Sequence, residues 1–171
     1  AQVMQLDGAQ NIRLRIDQAV DEILTNQSAQ GGFGLWGPGA GEPWLDAFVT
    51  DFLSRARAQG VQVPDIAFRS ALDNLRNQVN YAPDFDTGGE ALAYQLMVLA
   101  REGAAAIGDL RYYADVKGDA FTTPTAAAQL GAALASYGDQ TRADAMFVRA
   151  AALMEGRPVT ETAQIFRADF G

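Results

Sequence analysis

The sequence predicts an all-α fold of repeated helical hairpins, and three observations carry that prediction. Apolar residues recur at helical spacing along most of the chain, prolines open and glycines close the runs, and no stretch shows a strand pattern. About seven helices follow. The helix-ending glycines Gly60, Gly103 and Gly138 stand near the roughly 35–45-residue spacing of helical-hairpin repeats. Even-numbered helices are the more uniformly apolar or small, and odd-numbered ones the more amphipathic. An outer and an inner helix per hairpin describes an α/α toroid or an open α-solenoid. Seven helices make three and a half hairpins, whereas a closed six-hairpin toroid needs more chain than this.

The first helix is expected from Ala9 to Asn26, with Ile12, Ile16, Ala19, Val20 and Ile23 on one face and Asp7 with Gln10 as a capping box. Gln27 to Trp36 and the run Gly37-Pro-Gly-Ala-Gly41 cannot be helical, because these glycines and the proline favour a structured loop. Phe33, Trp36 and Trp44 read as its aromatic anchors. Pro43 opens the second helix, whose stripe is Leu45, Phe48, Val49, Phe52 and Ala56, and Gly60 ends it. Pro64 opens the third, with Phe68, Ala71, Leu72, Leu75 and Val79 on one side. Ala19-Val-Asp-Glu-Ile in the first helix aligns with Ala71-Leu-Asp-Asn-Leu here.

Tyr81 to Gly89 is a second loop of the first loop's kind, and Thr87 with Glu90 has capping-box spacing before a fourth helix, Ala91 to Ala100. That helix is apolar nearly all round, so protein should surround it. A fifth helix spans Ile107 to Val116. Thr123-Pro124 starts a sixth from Thr125 to Tyr137, whose alanines and Gly131 allow close helix approach. Asp139 caps a seventh carrying Ala143, Met146, Phe147, Ala150, Ala151 and Met154, stopped by Gly156-Arg157-Pro158. The tail from Val159 to Gly171 matches no single element.

Composition narrows the function classes. The 171 residues are 49% hydrophobic and 20% charged, an ordinary globular balance with length for one domain, residues 1–171, or for a piece of a larger one. The formal net charge is −8, from 13 basic and 21 acidic side chains, and no run of Lys or Arg exists. Neither nucleic-acid phosphates nor an anionic membrane surface is a favoured partner. The chain has no cysteine, which excludes disulfides and cysteine nucleophiles within it, and no histidine, the commonest general base and metal ligand. No apolar run approaches the roughly 20 residues of a membrane span. A beginning at Ala1 without a signal-peptide profile and an end at Asp169-Phe-Gly171 read as a segment excised from a larger multidomain protein.

An ordered set of motifs adds a family. Gly31-Gly-Phe-Gly-Leu-Trp36, the glycine-rich insert, Trp44-Leu-Asp-Ala-Phe-Val-Thr-Asp-Phe-Leu-Ser-Arg-Ala-Arg57, Gly60 and Val63-Pro64 together resemble one segment of the bacterial alpha-2-macroglobulins, within their thioester-containing domain. Val98-Leu-Ala-Arg101, Gly108-Asp-Leu-Arg111, Ala128-Gln-Leu-Gly-Ala-Ala-Leu134, Tyr137-Gly-Asp-Gln-Thr-Arg142 and the closing Arg167-Ala-Asp-Phe-Gly171 continue the resemblance from about residue 10 to the end. The Gly-Gly-Phe element alone is weak, since prenyltransferase and triterpene-cyclase toroids carry a similar one.

The resemblance implies a partial α/α toroid from a periplasmic protease trap attached to the inner membrane. In that family a protease cuts a bait region and an internal thioester, built from a Cys-x-Glu-Gln motif, then acylates the protease. Its partners would be attacking proteases and the other domains of the same parent. No cysteine and no such motif stands before residue 10. Either the segment begins downstream of the motif, or the parent belongs to the thioester-lacking branch. In both cases the segment itself supplies scaffold rather than acylation, and is no enzyme.

Several residues admit a sharper reading. Phe33, Trp36 and Trp44 as a ligand groove, and Asp84-Phe-Asp86 as a terpene-cyclase acid, compete with loop anchors and solvated turn carboxylates. The cyclase motif lacks its last Asp, because Thr87 follows Asp86, and a Ca²⁺ loop fails where Gly88 takes a ligand slot. Glu42 and Asp46 suit the positive end of the second helix. Arg55, Arg57 and Arg69 read as outer-face charges, and one of Tyr112 and Tyr113 as core. A toroid enzyme of cyclase or prenyltransferase type and a tetratricopeptide-like adaptor over Ala133 to Ala151 are the rival functions. The sequence assigns no catalytic residue, no cofactor and no metal ligand.

Overall fold

A computed structural model describes residues 2–39 and 41–156, with side chains from residue 10 onward. Among the described residues seven helices follow one another: α1 (Gln2–Thr25), α2 (Pro43–Ala58), α3 (Asp65–Asn80), α4 (Glu90–Arg101), α5 (Ile107–Asp115), α6 (Pro124–Ser136) and α7 (Gln140–Glu155), with a 3-10 turn at Gly118–Ala120. The only β pairing among the described residues is two isolated bridges, Gln27 with Phe33 and Gly88 with Phe121. The tail from Val159 to Gly171, including Arg167-Ala-Asp-Phe-Gly171, lies outside the described residues.

The layers alternate as the hairpin pattern requires, and the fold is a partial α/α toroid. α4 packs on α2 at one side and α6 at the other, while α3 covers the α2–α4 side and α7 covers α6. Burial follows. α4 buries Leu92, Ala93, Gln95, Leu96, Val98, Leu99 and Ala100, whereas α5 buries Leu110 alone. Each fully buried Leu or Val of α4 contributes about 1.5–3 kcal/mol relative to exposure, so this inner helix holds the larger core cluster together. A second cluster gathers Val20, Phe33, Val49, Leu53, Phe68 and Ala71 around the first hairpin.

Two kinds of connection join the layers. Inner helices turn to outer ones through short segments governed by glycine. Gly60, Gly103 and Gly138 have φ of 77°, 67° and 76°, a left-handed backbone that glycine adopts without a Cβ penalty. At each, the glycine N–H bonds to the carbonyl three residues back, and the following N–H reaches the carbonyl five residues back, as Val61 does to Ala56. This double closure is a Schellman motif and satisfies the orphan carbonyls of the helix end. Outer helices lead to inner ones through the longer stretches 26–42, 81–89 and 116–123.

Several starts differ from expectation. α1 begins at Gln2, so Asp7 lies inside the helix rather than at its start. Pro64 is the residue before α3, not its first. α4 starts at Glu90, so its cap position is Gly89, at φ 74°, rather than Thr87; a Cβ at 89 would sit 2.6 Å from Phe85 and 2.8 Å from Phe121. Asp139 precedes α7 without capping it, its carboxylate being taken by Arg111 and Arg142. Thr123 does cap α6, accepting the Ala126 N–H at 3.3 Å.

The stripe of α2 also shifts. Ala47, Val49, Leu53 and Ala56 are buried together with Asp46, Thr50, Asp51 and Ser54, while Phe48 is half exposed. α3 matches its expected face, with Phe68, Ala71, Leu75 and Val79 buried. On α1, Val20 is buried but Ile12 is exposed, and on α7 Met154 and Phe147 stand open.

Candidate functional site

The first turns of α2 and α4 and the three long connections share one rim, and a buried polar cluster gathers beneath it. Loop 26–42 is tied down there by its own backbone. Ser28 N–H donates to Gly32 O at 2.8 Å, Gly34 N–H to Asn26 O at 3.2 Å, and the Gln27 amide to Ala67 O on α3 at 2.9 Å. Gly31, at φ 91°, lies so close to α3 that a Cβ would fall 2.0 Å from Ser70 O. Only glycine fits that approach.

Asp46 is the centre of this arrangement. The side chain is wholly buried, and its carboxylate accepts the Phe33 N–H at 2.7 Å, Asn74 Nδ2 at 2.9 Å and Gln78 Nε2 at 2.6 Å. A buried carboxylate is costly unless fully hydrogen-bonded, and three donors from a loop and from α3 satisfy this one. The chain of bonds continues. Gln95, on α4, donates to Gln78 Oε1 and to Pro43 O at the start of α2. Asp46 is therefore far more than a charge favouring the positive end of α2.

Phe33 is buried as a loop anchor, but Trp36 is 99% exposed and anchors nothing. Trp44 stands half exposed, stacked on Phe48 with ring centroids 5.3 Å apart and tilted against Tyr94. The three aromatics singled out in the loop are thus separated into one buried, one stacked and one free. They line no common groove.

A second network crosses from α2 to α4. Asp51 accepts Arg55 Nε at 3.0 Å and the Tyr94 hydroxyl at 2.8 Å, and pairs with Arg101. Burial pushes the Asp51 carboxyl up, but the hydrogen bonds from Arg55, Tyr94 and Arg101 and the Arg101 charge outweigh it, leaving it below its ordinary 3.8. Burial first, then the bond to ionised Asp51, push the Tyr94 phenol well up. Ser54 donates to Glu102 and accepts from Arg101 at 3.2 Å, yet it is only 5% exposed and closed to any substrate.

The remaining candidates fall to structural roles. Asp84 is exposed, and its bond from Lys117 holds its carboxyl below the ordinary range, the opposite of a protonating acid. Arg57 bonds to Asp65 and Val63 O and lies 4.7 Å from the Phe68 ring centroid. Arg55 joins the Asp51 network, so it is more than a free outer charge. Tyr113 packs on Phe121 and Tyr112 is half exposed, as expected of neighbours on one helix. Beside the Asp46 chain a cavity of about 290 Å³ opens between Pro43, Gln78, Phe85, Glu90, Leu92 and Gln95.

Among the described residues no buried side-chain polar atom lacks a partner, and no group of three carboxylates gathers as a metal would need. The polar groups here are spent on each other. Motif residues far apart in sequence meet in pairs: Arg101 with Asp51, and Arg111 with Asp139 at 2.9 Å. Sequence reasoning missed Asp46 and Asp51 as hubs, because both lie off the apolar stripe Leu45, Phe48, Val49, Phe52 and Ala56 and no local spacing marks them.

No model of a protein family matches the chain. A curated alpha-2-macroglobulin of Escherichia coli (strain K12) is 33% identical over 175 residues, covering 96% of this chain and 10% of that protein. Two solved structures are similar. The native conformation of the E. coli protein, from cryo-EM, aligns with a TM-score of 0.74 at 30% identity, over 84% of this chain and 10% of that one. The same protein activated by porcine elastase aligns with a TM-score of 0.74 at 32% identity, over 82% of this chain and 13% of that one. The chain spans about a tenth of the curated relative's length.

Proposed function

The chain belongs to the bacterial alpha-2-macroglobulin family, and we propose that it is the scaffold portion of the domain that carries the thioester in such a protein, a periplasmic protease inhibitor held at the inner membrane. The observation that carries this reading is the match along 96% of the chain, together with a hydrogen-bonded interior that spends its polar groups on shape. A reactive acyl bond must be shielded from water until needed, and a rigid wall of inner helices suits that task. Asp46 and its donors fix the glycine-rich loop to that wall.

The segment in this reading does no chemistry. Attacking proteases and the other domains of the parent are its partners, and 1–171 acts as one part of a larger toroid. The E. coli relative is described in both a native and an elastase-activated form, which supports a protease as the trigger here as well. The longer polypeptide carrying this segment, incubated with elastase, should be cut at a limited site and then migrate as a more compact species on native gels. Unchanged migration after cleavage overturns the proposal. A mass increase with methylamine separates a thioester-bearing parent from one of the thioester-lacking branch.

A further inference from the structure

The basic side chains of this chain are almost all of one kind. Twelve of the 13 are arginine and one, Lys117, is lysine, and the chain has neither cysteine nor histidine. The distinction is chemical rather than electrostatic. A guanidinium keeps its proton in a protein and offers no lone pair, whereas an amine, a thiolate or an imidazole can attack an acyl carbon. The arginines still form the ion pairs a lysine could form: Arg101 pairs with Asp51, Arg57 with Asp65 and Arg149 with Asp119.

Lys117 stands in the connection 116–123, and the fold clamps its amine. The ammonium pairs with Asp84, donates to Phe85 O at 3.1 Å and lies 5.8 Å from the Phe85 ring centroid. Its side chain is only 15% exposed. The bond to Asp84, then the charges of Asp84 and Asp86, hold the ammonium above its ordinary 10.5, against a desolvation that works the other way.

We propose that this segment is chemically silent toward the acyl donor it walls in: its one lysine is clamped by Asp84 and Phe85, so the thioester of the parent is not consumed by its own scaffold. The inference rests on the thioester-scaffold reading above. The reaction prevented is an acyl transfer. A free ε-amine would attack the thioester carbonyl, an amide C–N bond would form and the C–S bond would break. The cysteine sulfur would leave as thiolate, and the proton released by the amine would pass to it. With its lone pair held by a proton, Lys117 cannot begin that step. The amine that consumes the thioester must then come from outside this segment.

The 171-residue chain itself supplies the test, with the S-acetyl thioester of N-acetylcysteamine as the probe and acetylation read by peptide mapping. Arg69→Lys places a reference amine on the exposed surface of α3. In that variant Lys117 should react roughly tenfold more slowly than position 69, because only the deprotonated amine is a nucleophile. Adding Asp84→Ala should close most of the gap. Asp84 is 79% exposed, so the fold should survive, which an unchanged circular dichroism spectrum checks. Equal rates at 117 and 69, or no rise with Asp84→Ala, overturn the proposal. In the longer polypeptide activated by elastase, amides should form on elastase, and an amide on Lys117 overturns the proposal as well. Methylamine tests the underlying reading separately. A longer polypeptide that gains no mass with it holds no thioester to protect, which ends that reading; one that gains mass and acylates Lys117 defeats the clamp alone.

Discussion

Two inner helices of the same toroid are buried by opposite means. α2 turns Asp46, Thr50, Asp51 and Ser54 inward and satisfies each by a hydrogen bond, whereas α6 presents Ala126, Ala127, Leu130, Gly131, Ala133 and Leu134 and hydrogen-bonds nothing across the interface with these side chains. The first solution is directional and fixes a loop and two helices in one arrangement. The second is a matter of distance: a Cβ on Gly131 would lie 3.0 Å from Phe147 and 3.2 Å from Ala143 O, so α7 has closed on the helix backbone. The polar seam belongs to the hairpin with the longest loop. Where a loop must be held in a single shape, packing alone is not specific enough, and hydrogen bonds supply the specification.

The contrast can be broken at its strongest point. Asp46→Ala removes the acceptor shared by Phe33 N–H, Asn74 and Gln78 and leaves buried donors without partners. Stability to urea should fall by about 3–5 kcal/mol, with the loop losing protection from hydrogen exchange before the helices do. A fall confined to a few tenths would show that the network is ornament to a packed core. Gly131→Leu tests the other seam: overpacking against Phe147 and the α7 backbone should cost about 2–3 kcal/mol, measured by the same titration.

Tyr94→Phe is a milder probe of the polar side. Loss of the 2.8 Å bond to a carboxylate should cost about 1.5 kcal/mol near neutral pH. The sign with pH follows from Asp51. Its folded pKa lies below 3.8, so the stability gained from its ionised form is present above that value and is lost as pH falls through the lower folded one. Without the Tyr94 hydroxyl the carboxyl moves back toward 3.8, and the slope of stability against pH in that acid range should become shallower. Smallest of all, Trp36→Ala should change stability by less than about 0.5 kcal/mol in this chain, because the ring is 99% exposed.

The apolar seam was legible in the sequence and the polar one was not, for a physical reason. Helix order, the small-residue face of α6 and the glycine stops depend on residues close together in the chain, and local spacing reports them directly. Asp46 depends on donors 13, 28 and 32 residues away, and nothing near it distinguishes a buried acceptor from a charge at a helix start. The same error moves the stripe of α2: Phe48 and Leu45 read as core because they are apolar, while Thr50 enters by bonding back to Asp46 O in its own helix and Ser54 by a bond to Glu102, 48 residues away. Trp36 fails in the other direction. A large aromatic in a loop suggests burial, yet among the described residues nothing covers the tip of that loop.

The two kinds of connection also divide the molecule's capacity for change. On one rim, Gly60, Gly103 and Gly138 close each inner helix with the same pair of backbone bonds, at a left-handed φ that strains any side chain and leaves no slack for an insertion. On the other, 26–42, 81–89 and 116–123 differ in length and content while delivering the chain to equivalent helix starts. Repeats of this design can be lengthened, retuned or decorated on one edge only. A domain inserted after Gly37 should leave the toroid intact, and the same insertion after Gly103 should unfold a hairpin.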